Sequence, residues 1–170
     1  SNDLTLQNHL EDQLQDIKLS NSEKKIAQVI IQSLEESGLL QIDLDEIEEL
    51  MEYAYSIKEI KNVLVNIIHD LEPAGVGARN FKETIYIQLN KQEIPTEELE
   101  IANKILFNPQ FSSFEDAESN LLQHYSKDVV ASALKRIKQC DLSPGLEFES
   151  SQIIQPDLEV IPDNDQNLNV

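Results

Sequence analysis

Residues 71–89 constrain this chain more than any other stretch, because they dictate a helix, a sharp rigid turn and a second helix. Upstream, Ile57, Ile60, Leu64, Ile67, Ile68 and Leu71 recur at helical spacing. Pro73 is expected to end that helix, since it lacks an N–H and the residue before a proline avoids helical angles. Gly75 and Gly77 then permit backbone angles that other residues resist. Asn80 suits an N-cap, with Glu83 three residues on to complete a capping box. Phe81, Ile85, Tyr86 and Leu89 supply the apolar face of the next helix. The glycine pair, with Arg79 before a helix start, invites a phosphate-loop reading. A dinucleotide fingerprint, however, needs a preceding strand and a third glycine, whereas here a helix precedes and position 80 is Asn. A structural turn between helical groups and a direct binding loop both stay open.

Periodicity elsewhere predicts an all-α chain of eight helices. The first runs from about Leu4 to Ile17, with Leu6, Leu10, Leu14 and Ile17 on one face. Ser20 with Glu23 opens the second, which carries Ile26, Ala27, Ile30, Ile31 and Leu34 and is expected to end at Gly38. Asp43 with Glu46 opens the third, whose apolar side is Leu44, Ile47, Leu50 and Met51. Ser56 with Glu59 opens the fourth. Residues 3–72 are therefore expected to form a four-helix bundle. A smaller helical bundle is expected over residues 73–142: the helix after Asn80, one from Thr96, one capped by Ser113 and one capped by Ser126. Pro144-Gly145 is a breaker pair, and residues 143–170 read as an extended tail with Pro156, Pro162 and short apolar pieces at Ile153-Ile154 and Val160-Ile161.

Charge narrows the function. The formal net charge is −19, which argues against nucleic-acid binding by this chain alone, since phosphate contacts dominate such affinity. The one basic cluster, Lys135, Arg136 and Lys138, falls in the last turns of a helix, where cations suit the dipole. No apolar run approaches a membrane span. Cys140 is the single cysteine, so no internal disulfide forms, compatible with a reducing cytoplasm; it is expected as a small buried apolar residue at a helix end. His9, His69 and His124 lie far apart, with no metal-spaced pair, and no nucleophile elbow appears. No enzyme, cofactor or metal site is expected. The polar start, without Met or a leader pattern, predicts an excised fragment.

The block Pro73, Ala74, Gly75, Val76, Gly77, Ala78, Arg79, Glu83, Gln88 and Leu89 resembles the "PaGVGARdl-x-E-x-L-x-x-QL" block of bacterial sigma-54 (sigma-N) transcription factors. Flanking matches follow in order. Leu6, His9, Leu10, Gln13 and Leu14 resemble the family's "L-x-x-HL-x-x-QL". The run from Ile26 and Ala27 to Gly38, Leu39 and Leu40 resembles "IA-x-x-li-x-sLD-x-x-GYL". Leu142, Pro144, Gly145 and Phe148 resemble "L-n-P-k-PG-x-x-F", and Pro156, Asp157 and Val160 the "PD-x-x-V" that follows. Leu39 stands where the family usually has Tyr, and the "P-k-PG" piece is shortened.

The resemblance implies the domain that docks such a factor on core RNA polymerase subunits. Promoter DNA would be met only through regions absent from this fragment, with no membrane and no small-molecule substrate. Pro73, Gly75, Val76, Gly77 and Arg79 are the candidate partner-binding loop, with Arg79 able either to lock the loop or to meet a partner carboxylate. His9, Gln13, Gly38, Leu40, Glu83, Gln88, Pro144 and Gly145 are expected to be structural. From charge and helicity alone, an acidic helical adaptor for another regulatory protein is the alternative.

Overall fold

The computed structural model describes residues 5–149. Leu4 and the apolar pieces around Pro156 and Pro162 lie outside the described residues. Within them the chain forms α1 (Leu6–Leu14), α2 (Asn21–Gln32), α3 (Leu44–Leu50), α4 (Ile57–Asn66), a 3-10 turn (Ile68–Asp70), α5 (Phe81–Asn90), α6 (Thr96–Phe107), α7 (Phe114–Leu121) and α8 (Lys127–Lys138). No strand occurs among the described residues, and no helix there is long and apolar enough to cross a membrane.

The helix starts follow local chemistry. The Ser20 hydroxyl accepts the Glu23 N–H at 3.1 Å, and the Glu23 carboxylate accepts the Ser20 N–H at 2.9 Å. Ser56, Asn80, Ser113 and Ser126 each accept the N–H three residues on. Such caps contribute about 1 kcal/mol each, which is little beside the cores. The first core gathers Leu6, Leu10, Ile26, Ile30, Ile31, Ile47, Ile60, Leu64, Ile68 and Val76. The second gathers Ile85, Leu89, Ile101, Leu106, Ala117, Leu121, Val130 and Ile137. Each fully buried Leu or Ile contributes roughly 1.5–3 kcal/mol, so apolar burial decides the fold.

Several boundaries differ from the sequence reading, each for a local reason. Helix α1 stops at Leu14, and Ile17 is exposed beyond it. Helix α2 ends at Gln32 rather than at Gly38, because residues 35–39 form a separate turn, in which the Gly38 N–H donates to the Glu35 carbonyl at 2.9 Å and the Glu35 N–H to the Leu39 carbonyl at 2.9 Å. Pro73 does not end α4, which stops at Asn66; the 3-10 turn then carries Ile68 into the core and leads to the buried Leu71. That tighter helix repeats every three residues, so the apolar spacing continues without an α-helix. On α3 only Ile47 of the expected apolar side is fully buried, and Leu50 is 62% exposed. On α5, Phe81 and Tyr86 are exposed.

The largest correction concerns the start of the expected tail. Residues 144–149 are helical. Pro144 sits at the first helical position, where its missing N–H matters least, and the Ser143 carbonyl accepts the N–H groups of Leu146 and Glu147. The pair read as a breaker is a helix start.

Candidate functional site

The turn after the 3-10 segment is built from the backbone outward. The Glu72–Pro73 bond is cis. Gly75 has φ +99°, in the region that glycine alone enters freely. Its carbonyl accepts the Thr84 hydroxyl at 2.9 Å. The Gly77 N–H donates to the Gly38 carbonyl at 2.8 Å, and the Leu40 N–H donates to the Ala78 carbonyl at 2.8 Å. The turn is thereby laced to the 38–40 loop like a two-rung ladder. Leu39, Ala78 and Ile87 close a small apolar cluster behind it.

Polar side chains tie other elements to this turn. Gln13 donates to the Glu72 carbonyl and accepts the Glu72 N–H at 2.8 Å. Gln88 does the same to Asp141, donating to its carbonyl at 2.6 Å and accepting its N–H at 2.9 Å. Lys91 donates to the Leu71 carbonyl at 2.8 Å and pairs with Glu72 at 2.9 Å. From the far end, the Gly145 N–H donates to the Ser37 carbonyl at 2.9 Å. The Glu149 carboxylate accepts the Leu6 N–H at 3.1 Å, and the His9 ring stacks on Phe148 with centroids 4.5 Å apart. Thus α1, the 38–40 loop, the turn, α5 and residues 141–149 meet in one junction between the two cores.

Glu83 has a different partner from the expected one. Asn80 caps its N–H at 2.9 Å, but the Glu83 carboxylate turns to Arg79 instead of closing a box with the Asn80 backbone. It accepts the Arg79 N–H at 2.8 Å, Nε at 2.9 Å and Nη2 at 2.6 Å. Burial pushes the Glu83 carboxyl up, but the Arg79 hydrogen bonds and charge together outweigh it and hold the group below its ordinary value. The Arg79 guanidinium is raised chiefly by the same Glu83 hydrogen bonds.

His69 is buried with Nε2 at 2.9 Å from the Gly77 carbonyl, so Nε2 carries the proton that it donates. Burial depresses its pKa below 6.5 more than the Gly77 hydrogen bond raises it; Glu83 favours its charged form, while Arg79 and Lys91 oppose it. A depressed His is neutral in the folded state while the unfolded chain takes up a proton below pH 6.5, so stability falls with acidification from there. Glu83 adds to this lower down: its contribution is complete above 4.5 and is lost as pH falls through its depressed value. We expect the melting temperature to drop between about pH 7 and pH 5, and less so in His69→Gln, which keeps a donor for Gly77. Equal slopes in thermal melts of both proteins would refute this.

Of the candidate binding-loop residues, Gly75, Val76 and Gly77 are buried, while Pro73 and Arg79 reach the surface. Arg79 and the exposed Phe81 border a shallow notch of about 230 Å³ with Leu39, Gln41 and Asn80. Leu40 is fully buried in the first core, and Pro144 is buried. Arg136, read as a dipole cap, pairs with buried Glu98, which also accepts the Ser132 hydroxyl at 2.8 Å. Cys140 is half-buried at the end of α8, and burial raises its thiol pKa. Among the described residues no cluster of three or more His, Cys, Asp or Glu is placed to hold a metal. Sequence reasoning missed Thr84, Lys91 and Asp141 as members of the junction. Thr84 with Gln88, polar at i and i+4 on an otherwise apolar face, was the available signal; Lys91 and Asp141 gave none.

The profile of the family described as "Sigma-54 factor, core binding domain" matches residues 1–170. The RNA polymerase sigma-54 factor of Bacillus subtilis is 32% identical over 170 residues, covering 94% of this chain and 36% of that relative. Those of Pseudomonas putida and Escherichia coli are 29% and 28% identical, each over about a third of the relative's length (34% and 33%). Several of the residues that carried the resemblance, among them His9, Gln13, Gly38, Gly77, Gln88 and Gly145, lie at the junction. With the family profile matching throughout, this chain belongs to the sigma-54 factor core-binding-domain family.

Proposed function

We propose that this chain docks a sigma-54-type initiation factor on core RNA polymerase in the bacterial cytoplasm, as a scaffold without catalysis or cofactor. Polymerase subunits are the partner, and promoter DNA is left to other regions of the factor. The observation that carries the reading is the junction: the motif residues, scattered from His9 to Gly145, converge to hold two helical units in a set relation. We take those units as residues 3–72 and 73–142, each with its own main core, with Val76 of the turn reaching across into the first. A module of fixed shape loses less freedom on binding, so more of its contact energy appears as affinity. Within it, Arg79 is given the role of locking the turn.

Binding of the factor to purified bacterial core polymerase, across a salt series and with an intact sigma-54 factor as competitor, tests this. Saturable, competed binding supports the reading; none by a folded protein sinks it. Arg79→Ala is expected to cost about 1 kcal/mol of stability, since the pair is charged but partly solvated. It should weaken polymerase binding only modestly. Abolished binding by a folded Arg79→Ala protein would move the guanidinium from lock to contact.

A further inference from the structure

We propose that the corner joining α3 to α4 is the apolar anchor of this chain, seating Tyr53 and Leu50 in a pocket on a basic protein surface. The inference rests on the polymerase reading above and names the part of the chain that would carry it.

Three observations converge on the corner. Tyr53 is 68% exposed and Leu50 62%, more than any other large apolar side chain among the described residues. Neither contributes to a core, so folding alone gives no reason for them. Secondly, Glu52 and Tyr53 have φ of +55° and +59°. A bulky side chain rarely enters this left-handed region, and two in succession are rarer. The conformation is locked: the Tyr53 N–H donates to the Glu48 carbonyl at 2.9 Å and the Glu52 N–H to that of Glu49 at 2.9 Å. The ring therefore projects from a set backbone, and a rigid aromatic loses little freedom on burial.

Charge selects the occupant. Residues 43–52 hold Asp43, Asp45, Glu46, Glu48, Glu49 and Glu52 with no Lys or Arg. That sign repels nucleic acid and anionic membrane alike. It also disfavours a second copy, which would set six carboxylates against six. A basic protein face with an apolar recess satisfies both the acids and the exposed pair. Acids at the rim would set approach and orientation, while the buried aromatic would set residence time.

The test uses the full-length factor and purified core polymerase. Tyr53→Asn removes the ring while keeping a residue that tolerates the left-handed backbone. It should melt as wild type does and bind at least about tenfold more weakly, with Tyr53→Phe largely restoring affinity. Leu50→Ser, on the helix itself, gives an independent reading of the same patch. Glu48→Gln/Glu49→Gln should flatten the salt dependence of association. If wild type binds and both Tyr53→Asn and Leu50→Ser bind equally well, the anchor is wrong and the polymerase reading stands. If wild type does not bind, the polymerase reading fails and the anchor falls with it.

Discussion

Gly75→Ala is expected to destabilise the chain by about 2–4 kcal/mol in urea or thermal unfolding. Two effects add. The residue has φ +99°, where any Cβ is strained. That Cβ would also lie 2.4 Å from Thr84 Oγ1 and 2.7 Å from Gln88 Nε2. A flexible side chain at either place could swing away, but both are held. Thr84 donates to the Gly75 carbonyl itself, and Gln88 is paired with the Asp141 backbone. Relief of the clash therefore breaks hydrogen bonds in a buried site, each worth about 1 kcal/mol or more when the partner is left unsatisfied. Gly38→Ala makes a useful contrast, because its nearest contacts, Gly145 N at 3.1 Å and Val76 Cγ1 at 3.3 Å, need a smaller shift. A loss under about 1 kcal/mol for Gly75→Ala would show that the junction yields more easily than its geometry implies.

Gly145→Ala is expected to release residues 144–149 from the first bundle while leaving both cores intact. The clash here is with backbone: an added Cβ meets the Glu36 carbonyl at 2.4 Å, Gly38 N at 2.8 Å and Leu6 Cδ2 at 2.9 Å. Helix propensity works the other way, since Ala in place of Gly favours a helix by about 1 kcal/mol. Overlap with two backbone atoms that cannot rotate aside outweighs that gain. The segment should stay helical or fray, but leave its seat. Loss of the contacts between the His9 and Phe148 rings in NMR spectra reads this directly, together with faster exchange of the backbone amides at position 145 and at Leu6. Preserved ring contacts with unchanged exchange would show that the 36–38 loop accommodates the methyl group. The loop accepts both the Gly145 and Gly77 N–H groups, so a shift there is expected to reach the central turn.

Most of the secondary structure was legible because it is decided over a few residues. Ser20 with Glu23 and Ser126 ahead of Val129 are caps made of neighbouring atoms, and the apolar faces of α2, α6 and α8 repeat at the helical period. Helix ends were less legible. Gly38 and Pro73 carry strong local stop signals, yet α2 and α4 end earlier. Their positions answer to contacts distant in sequence: Gly38 to Gly77 and Gly145, and residue 72, just ahead of Pro73, to Gln13 and Lys91.

The sequence by itself determined an all-α chain, most of its helix starts, its acidic surface and, through ordered motifs, its family. Tertiary structure alone decided what those motifs do. Gln13 and Gln88 each precede a buried leucine; Thr84 one turn before Gln88 hints at its role, but nothing local distinguishes Gln13 from a solvated glutamine. They become clamps only when folding brings the backbones of Glu72 and Asp141 to their amides. Likewise Glu83 turns to Arg79 rather than to Asn80, Pro144 opens a helix, and Leu50 stays in solvent. The physical reason is common to all. Caps and periodicity are satisfied within a turn or two, whereas a buried amide or a close backbone approach is satisfied by whichever distant element packing delivers.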